Sequence, residues 1–125
     1  MTTLNKLVGT GAWGDHAREV LGSVATGLTA AGTTQTTALA LTADVNSVGT
    51  TALSSGVILP ATASQSDTVV VFNGGANALE VYPPVGGTIN GGATNAGVSL
   101  ATLKGAEFRC VAASGGLTWI AILSA

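Results

Sequence analysis

The stretch VVVFNGGANALEVYPPVGGTINGG, residues 69–92, determines the fold class of this chain. It contains short runs of valine and other strand-forming residues, separated by glycine, asparagine and proline, and only one charged residue, Glu80. β-Branched and aromatic residues favour strands. Asn-Gly and Gly-Gly pairs favour hairpin turns, because both residue types accept a positive φ at low cost. The stretch therefore predicts short strands joined by hairpin turns.

Similar runs, many with the two-residue period of a strand, continue through the chain from residue 36 onward. They are TTALALTA, GVILP, DTVVVF, ALEVYP, VSLATL, AEFRCVA and GLTWIAILS. Turn signals separate them roughly every 8 to 12 residues, a spacing typical of an all-β sandwich or barrel. Because these connections leave no room for crossover helices, the sequence predicts an antiparallel β-sandwich or a jelly-roll-like barrel.

Alternation also predicts which side chains face the core. In AEFRCVA, Phe108 and Cys110 are expected inside, and Glu107 and Arg109 outside. A lone cysteine cannot form an intrachain disulfide, and a thiol beside Phe108 is expected to be buried and inert.

The last run, residues 117–123, is apolar on both faces. Trp119 lies on one face, and Ile120 and Ile122 lie on the other. A strand of this kind is typically covered on both sides. Ile120 and Ile122 are therefore candidate partner-binding residues, on a strand around which copies of the chain would associate.

Residues 1–32 differ from the rest and are predicted to form an extended N-terminal docking arm, with residues 33–125 as the β-domain. Apolar residues behind Asp15 fit either a short helix or an extended strand lying in a groove. Glycines within them weaken the helix, so an arm with at most a short helix is favoured. The candidate partner-binding residues of the arm are Trp13, Asp15, His16, Arg18 and Glu19.

The composition indicates that much of the protein surface is in contact with other molecules when the protein functions. Charged residues make up 8%, against roughly 25% in soluble domains, and the mean hydropathy is +0.53. A soluble monomer needs surface charge, so much of the surface is expected to be covered by copies of the chain or by a larger assembly. The uncharged run 20–43 is long enough to cross a bilayer, but its threonines and glycines argue against a membrane span.

The distribution of basic residues argues against direct nucleic-acid binding. The chain has four of them, and none lies between Glu19 and Leu103. Recognition of a phosphate backbone requires a basic patch. The N-terminal residues also lack the apolar core and cleavage site of a secretory signal, so none is expected.

Motifs for catalysis or cofactors are weak. GTGAWG, residues 9–14, matches a dinucleotide fingerprint in letters only, because no acidic residue follows about 20 positions later. Asp15, His16 and Glu19 could bind a metal ion, but the chain has no second histidine, and metal sites normally use more ligands. Without paired carboxylates or a base beside Cys110, the sequence predicts neither an enzyme nor a bound cofactor or metal.

Two aromatic residues leave one binding alternative open. Tyr82 and Trp119 could stack against a carbohydrate, as at a receptor-binding tip. Lone aromatic residues in a β-domain are more often core or interface anchors, which is the favoured interpretation.

The chain resembles a small β-domain of tailed-bacteriophage virion proteins. The resemblance rests on Asn73 followed by GANAL, then VYP, then TINGG, and on a late phenylalanine and tryptophan. It covers residues 36–125 and does not include the arm. It does not separate head-decoration (cement) proteins from head fibres and tail-fibre modules.

The resemblance implies a non-enzymatic structural protein, a homotrimer on a phage particle. The favoured function is a capsid decoration protein that binds the head lattice through the major capsid protein and stabilises it. The alternative is a head-fibre, tail-fibre or receptor-binding module that contacts the host surface. Either protein would be located in the virion after assembly in the host cytoplasm, where a free cysteine is usual.

Overall fold

A computed structural model describes residues 23–113 and 116–124. Their regular secondary structure is almost entirely β-strand, and the helix among them is a single 3-10 turn, Gln35–Thr37. The strands in this part of the chain are β1 (Val24–Thr29), β2 (Leu39–Ala40), β3 (Val45–Thr50), β4 (Gly56–Ile58), β5 (Thr68–Asn73), β6 (Leu79–Tyr82), β7 (Thr88–Ile89), β8 (Val98–Leu100), β9 (Gly105–Ala112) and β10 (Thr118–Leu123). The all-β prediction is confirmed for these residues.

The strands form two sheets that enclose one core, an arrangement compatible with a β-sandwich. The larger sheet has six strands in the order β1-β3-β5-β9-β10-β7, and the smaller has four in the order β2-β4-β6-β8. From β1 to β6 the chain alternates between the sheets, so each strand of one sheet is followed by a strand of the other. This part of the chain therefore winds as a coil.

The prediction of antiparallel sheets is wrong for this coil. β1 pairs with β3, and β3 with β5, in parallel. In the smaller sheet, β2–β4 and β4–β6 are also parallel. Parallel neighbours need a crossover connection, and here the crossover is a strand of the opposite sheet rather than a helix. Such parallel neighbours also differ from the antiparallel pairing of a jelly roll.

The C-terminal strands supply the antiparallel pairs. β9 pairs with β5 and with β10, and β8 pairs with β6, all antiparallel. Short β7 then pairs in parallel with the start of β10. Both sheets are therefore mixed.

The core lies between the sheets and is built mainly from aliphatic side chains. Trp119 and Phe108 are its largest members, and both are fully buried. Phe108 lies opposite Val69 on β5, and Trp119 lies opposite Cys110 on β9. The predicted inward positions of Phe108 and Cys110 are confirmed.

A buried amide joins the two sheets at the end of β5. The Asn73 Oδ1 accepts hydrogen bonds from Thr51 Oγ1 at 2.8 Å and from the Gly75 amide at 3.0 Å. Its Nδ2 donates to the carbonyls of Asn77 at 2.8 Å and of Leu100, on β8, at 2.9 Å. These four bonds satisfy the side chain and hold the glycine-rich turn after β5 against both sheets.

Strand β1 lies within residues 1–32, which the sequence assigned to the docking arm. In the structure it is the edge strand of the larger sheet, and Leu28 packs against the core. The sheet therefore includes residues before position 33. The remainder of the predicted arm, including any helix after Asp15, lies outside the described residues.

Candidate assembly surface

The candidate site is the solvent side of β5, β9 and β10, called here the outer face. Alternation along each strand points every second side chain away from the core. Register then aligns these side chains in rows, with Val70 beside Glu107 and Ile122, and Thr68 beside Arg109 and Ile120. A third row pairs Phe72 with Gly105. The outer face consists of Thr68, Val70, Phe72, Gly105, Glu107, Arg109, Ile120 and Ile122.

Large apolar side chains are exposed on this face. Ile122 is 69% exposed, Ile120 42% and Phe72 40%. The sequence predicts that β10 is covered on both sides, but within the described chain only its Trp119 side is covered. Clustered exposed apolar residues mark interaction surfaces in soluble proteins, so the outer face is the strongest candidate for a contact with another molecule.

A shallow depression of ≈ 350 Å³ lies at one end of the outer face. Phe72 and Ile122 form part of its lining, together with Gly105, Leu123 and Ser124. Gly105 adds no side chain here, and its amide is held by Ser124 Oγ at 3.0 Å. The missing side chain leaves room between Phe72 and Ile122 for a group from another molecule.

The outer face carries one acidic and one basic side chain. Arg109 Nη2 lies 3.4 Å from Glu107 Oε1, and both side chains are about half exposed. Arg109 Nη1 also donates to the Ser66 carbonyl at 3.4 Å. An exposed pair at this distance contributes little to stability, so both charges remain accessible to a partner.

The open edge of β10 is partly closed by an asparagine side chain. Asn90 Oδ1 accepts a hydrogen bond from the Ala121 amide at 2.8 Å, and Asn90 Nδ2 donates to the Ala121 carbonyl at 3.4 Å. Asn90 and Gly91 both have positive φ, 55° and 71°, and the Gly92 amide donates to the Ile89 carbonyl at 3.0 Å. This tight turn places the side-chain amide of Asn90 at the position where a further strand would otherwise pair with β10. The face of β10 is therefore more available than its edge.

The predicted site residues fall into two groups. The arm residues Trp13, Asp15, His16, Arg18 and Glu19 lie outside the described part of the chain. Ile120 and Ile122 lie together on the outer face. The sequence carries no signal for Phe72 or Gly105, because DTVVVF is apolar at consecutive positions and does not show which side chains point outward.

The alternative of a Tyr82–Trp119 aromatic platform does not fit the structure. Trp119 is fully buried in the larger sheet, whereas Tyr82 is half-buried in the smaller sheet. The two rings therefore cannot stack against one ligand.

The ionisable residues of the described part of the chain offer little chemistry. Burial raises the pKa of the Cys110 thiol, which lies 3.5 Å from the Ala112 carbonyl, so the reactive thiolate is disfavoured. Burial also raises the pKa of the Glu80 carboxyl. Among the residues described, no three of His, Cys, Asp and Glu gather in a way that could hold a metal ion.

A second depression, of ≈ 430 Å³, lies where β2 and β4 end. Its lining comes from residues 40–42 and 58–62 and contains no ionisable side chain. In the part of the chain that the structure covers, no helix is long and apolar enough to cross a membrane.

Comparison with known proteins adds no family. No protein-family model matches the chain, and no curated protein matches it as a relative.

Proposed function

We propose that this chain is a non-enzymatic structural subunit of a tailed-phage particle, a capsid decoration protein that binds the head lattice as a homotrimer. The observation that carries the proposal is the outer face, where Ile122, Ile120 and Phe72 are all exposed on one side of the sheet. Such a face on a chain with 8% charged residues favours a protein that functions within an assembly, where this face is buried. The resemblance of residues 36–125 to phage virion β-domains is the reason for proposing a phage particle as the assembly.

The proposal divides the chain between two contacts. The outer face joins the copies of the trimer, and residues 1–22, with Trp13 and the charged cluster after it, bind the major capsid protein. Ser23 marks the junction, since its carbonyl accepts from the amides of Asp44 and Val45 at 3.1 and 3.0 Å. A chain that starts at Ser23 retains this anchor.

The stabilising mechanism is mass action. A subunit that binds only the assembled lattice lowers the free energy of that lattice by its binding free energy. A trimer presents three copies of the same docking segment, so weak individual contacts add through multivalency. The alternative, a fibre or receptor-binding module, loses support because Trp119, one of its two aromatic candidates, is buried.

The experiment that tests this function compares particles with and without the protein. Particles stripped of it should release DNA at a lower temperature, and adding back the purified chain should restore the original temperature. A labelled chain should decorate the whole head. Unchanged heat resistance contradicts the cementing role, and label confined to one pole of the particle indicates a tail protein instead.

A further inference from the structure

We propose that copies of this chain associate through the outer face in a head-to-tail contact, in which Glu107 of one copy pairs with Arg109 of the next. The inference rests on the homotrimer proposed above and names the side chains that hold it together. The occupant of the outer face is thus a second copy of the chain rather than an unrelated protein.

Shape is the first argument for a second copy. Ile122 projects from the outer face with 69% of its surface exposed, and the ≈ 350 Å³ depression over Gly105 lies beside it. One face therefore carries both a projecting apolar side chain and a recess with room for one. In a closed ring of three, each interface joins different parts of the two copies, so the projection of each copy can fill the recess of its neighbour.

Charge is the second and more specific argument. Glu107 and Arg109 lie two positions apart on β9, the middle strand of the outer face. They are about 7 Å apart along the strand, and their charges sum to zero. A second copy presents the same two charges at the same spacing, so Glu107 of one copy can lie against Arg109 of the next. In a closed ring of three, every interface supplies one such pair.

The surroundings make this pairing stronger than the exposed intrachain pair. Glu107 lies between Val70 and Ile122, and Arg109 lies between Thr68 and Ile120. Contact with another copy would remove water from the apolar neighbours Val70, Ile120 and Ile122, and charge pairs in such surroundings determine register and partner choice. Like charges at the same positions would oppose association.

The first test changes the apolar part of the outer face. In the purified chain, measured by size-exclusion chromatography with light scattering, Ile122→Asp should shift the oligomer to monomer. Val85→Asp is the matched control, because Val85 is 68% exposed and lies in the loop before β7, at the opposite end of β10. It should leave the oligomer intact. A monomeric wild type, or equal effects of the two variants, overturns the proposal.

The second test exchanges the charges. Glu107→Arg and Arg109→Glu each place two like charges on every copy, and each should weaken association by roughly tenfold or more. The double variant Glu107→Arg/Arg109→Glu should recover association with itself. It should not exchange subunits with the wild type, because Glu107 would then meet a second glutamate. Circular dichroism confirms that each variant is folded.

Subunit exchange separates the contact between copies from the pair within one copy. If the charges interact only within each chain, swapped and wild-type subunits will mix freely, and the proposal is wrong. This measurement uses no particles, so its failure leaves the cementing function standing. Conversely, if swapped and wild-type subunits do not mix but the chain never binds phage heads, only the cementing function is contradicted.

Discussion

The side chain of Asn73 holds the turn after β5 in place through four hydrogen bonds. Its Nδ2 faces the carbonyls of Asn77 and Leu100, and its Oδ1 faces two donors. Asn73→Asp keeps the shape but places a second oxygen against the two carbonyls. Because a buried acceptor without a donor is costly, we expect a loss of about 2 kcal/mol or more in the free energy of unfolding, measured by urea denaturation.

Asn95→Asp is the matched control for this change. Asn95 is exposed, and its Oδ1 accepts from the Gly86 amide at 2.6 Å and from Gln35 Nε2 at 3.2 Å. An aspartate keeps both acceptor bonds, so stability should change by less than about 0.5 kcal/mol. Equal losses at the two positions would show that the Asn73 network does not depend on its donors.

Glu80 predicts a pH dependence of stability. Burial against the smaller sheet raises the pKa of its carboxyl above the ordinary value of 4.5, so the folded chain binds this proton more tightly than the unfolded chain. The contribution of Glu80 is therefore most favourable below pH 4.5 and is lost as the pH rises through the folded pKa. Glu80→Gln should raise the melting temperature at pH 7 and have little effect at pH 4. A variant that is less stable than the wild type at pH 7 contradicts this sign.

At the level of elements, the edge of β10 depends on one turn. Asn90→Gly keeps the positive φ without strain but removes the acceptor of the Ala121 amide. We expect hydrogen exchange of the Ala121 amide to accelerate, while the Gly86 amide is unaffected. Asn95→Gly should do the reverse, because Asn95 also has a positive φ and holds the Gly86 amide. Nuclear magnetic resonance resolves the two amides, and acceleration of both in either variant would indicate general loosening.

The sequence predicted individual strands better than it predicted their pairing. The runs that became β6 and β9 alternate clearly, and Phe108 and Cys110 are buried as expected. β3 carried no such signal because its inward Asn46 is polar, with Nδ2 donating to the Ala43 carbonyl at 2.9 Å. Alternation reports only which face of a strand is covered. Parallel pairing through the opposite sheet depends on contacts some twenty residues apart, such as Val24 with Val45.

At the level of the whole molecule, the candidate surface was only half predictable. Ile120 and Ile122 follow from the two-sided pattern of β10, since the sequence shows that both faces are apolar. Phe72 and Gly105 join them because β9 lies between β5 and β10, which no local pattern reveals. The surface is therefore a product of sheet order, and substitutions on three separate strands should act on one association equilibrium.

Sheet order also defines where the chain can be shortened. The buried cluster of described residues runs from Ala30 to Trp119, with Leu28 packed against it, and Ser23 is bonded to Asp44 through its amide at 3.1 Å. Removal of residues 1–22 should therefore leave the melting temperature and the oligomer unchanged while abolishing particle binding. Removal of residues 1–30 also deletes β1, exposes the edge of β3 and loses the burial of Leu28, so it should cost about 2 kcal/mol or more. Thermal unfolding measures the stability of each deletion, and co-sedimentation with particles measures its binding. If the shorter deletion still binds particles, the docking segment lies in the β-domain, and if it unfolds, residues 1–22 are part of the fold rather than an arm.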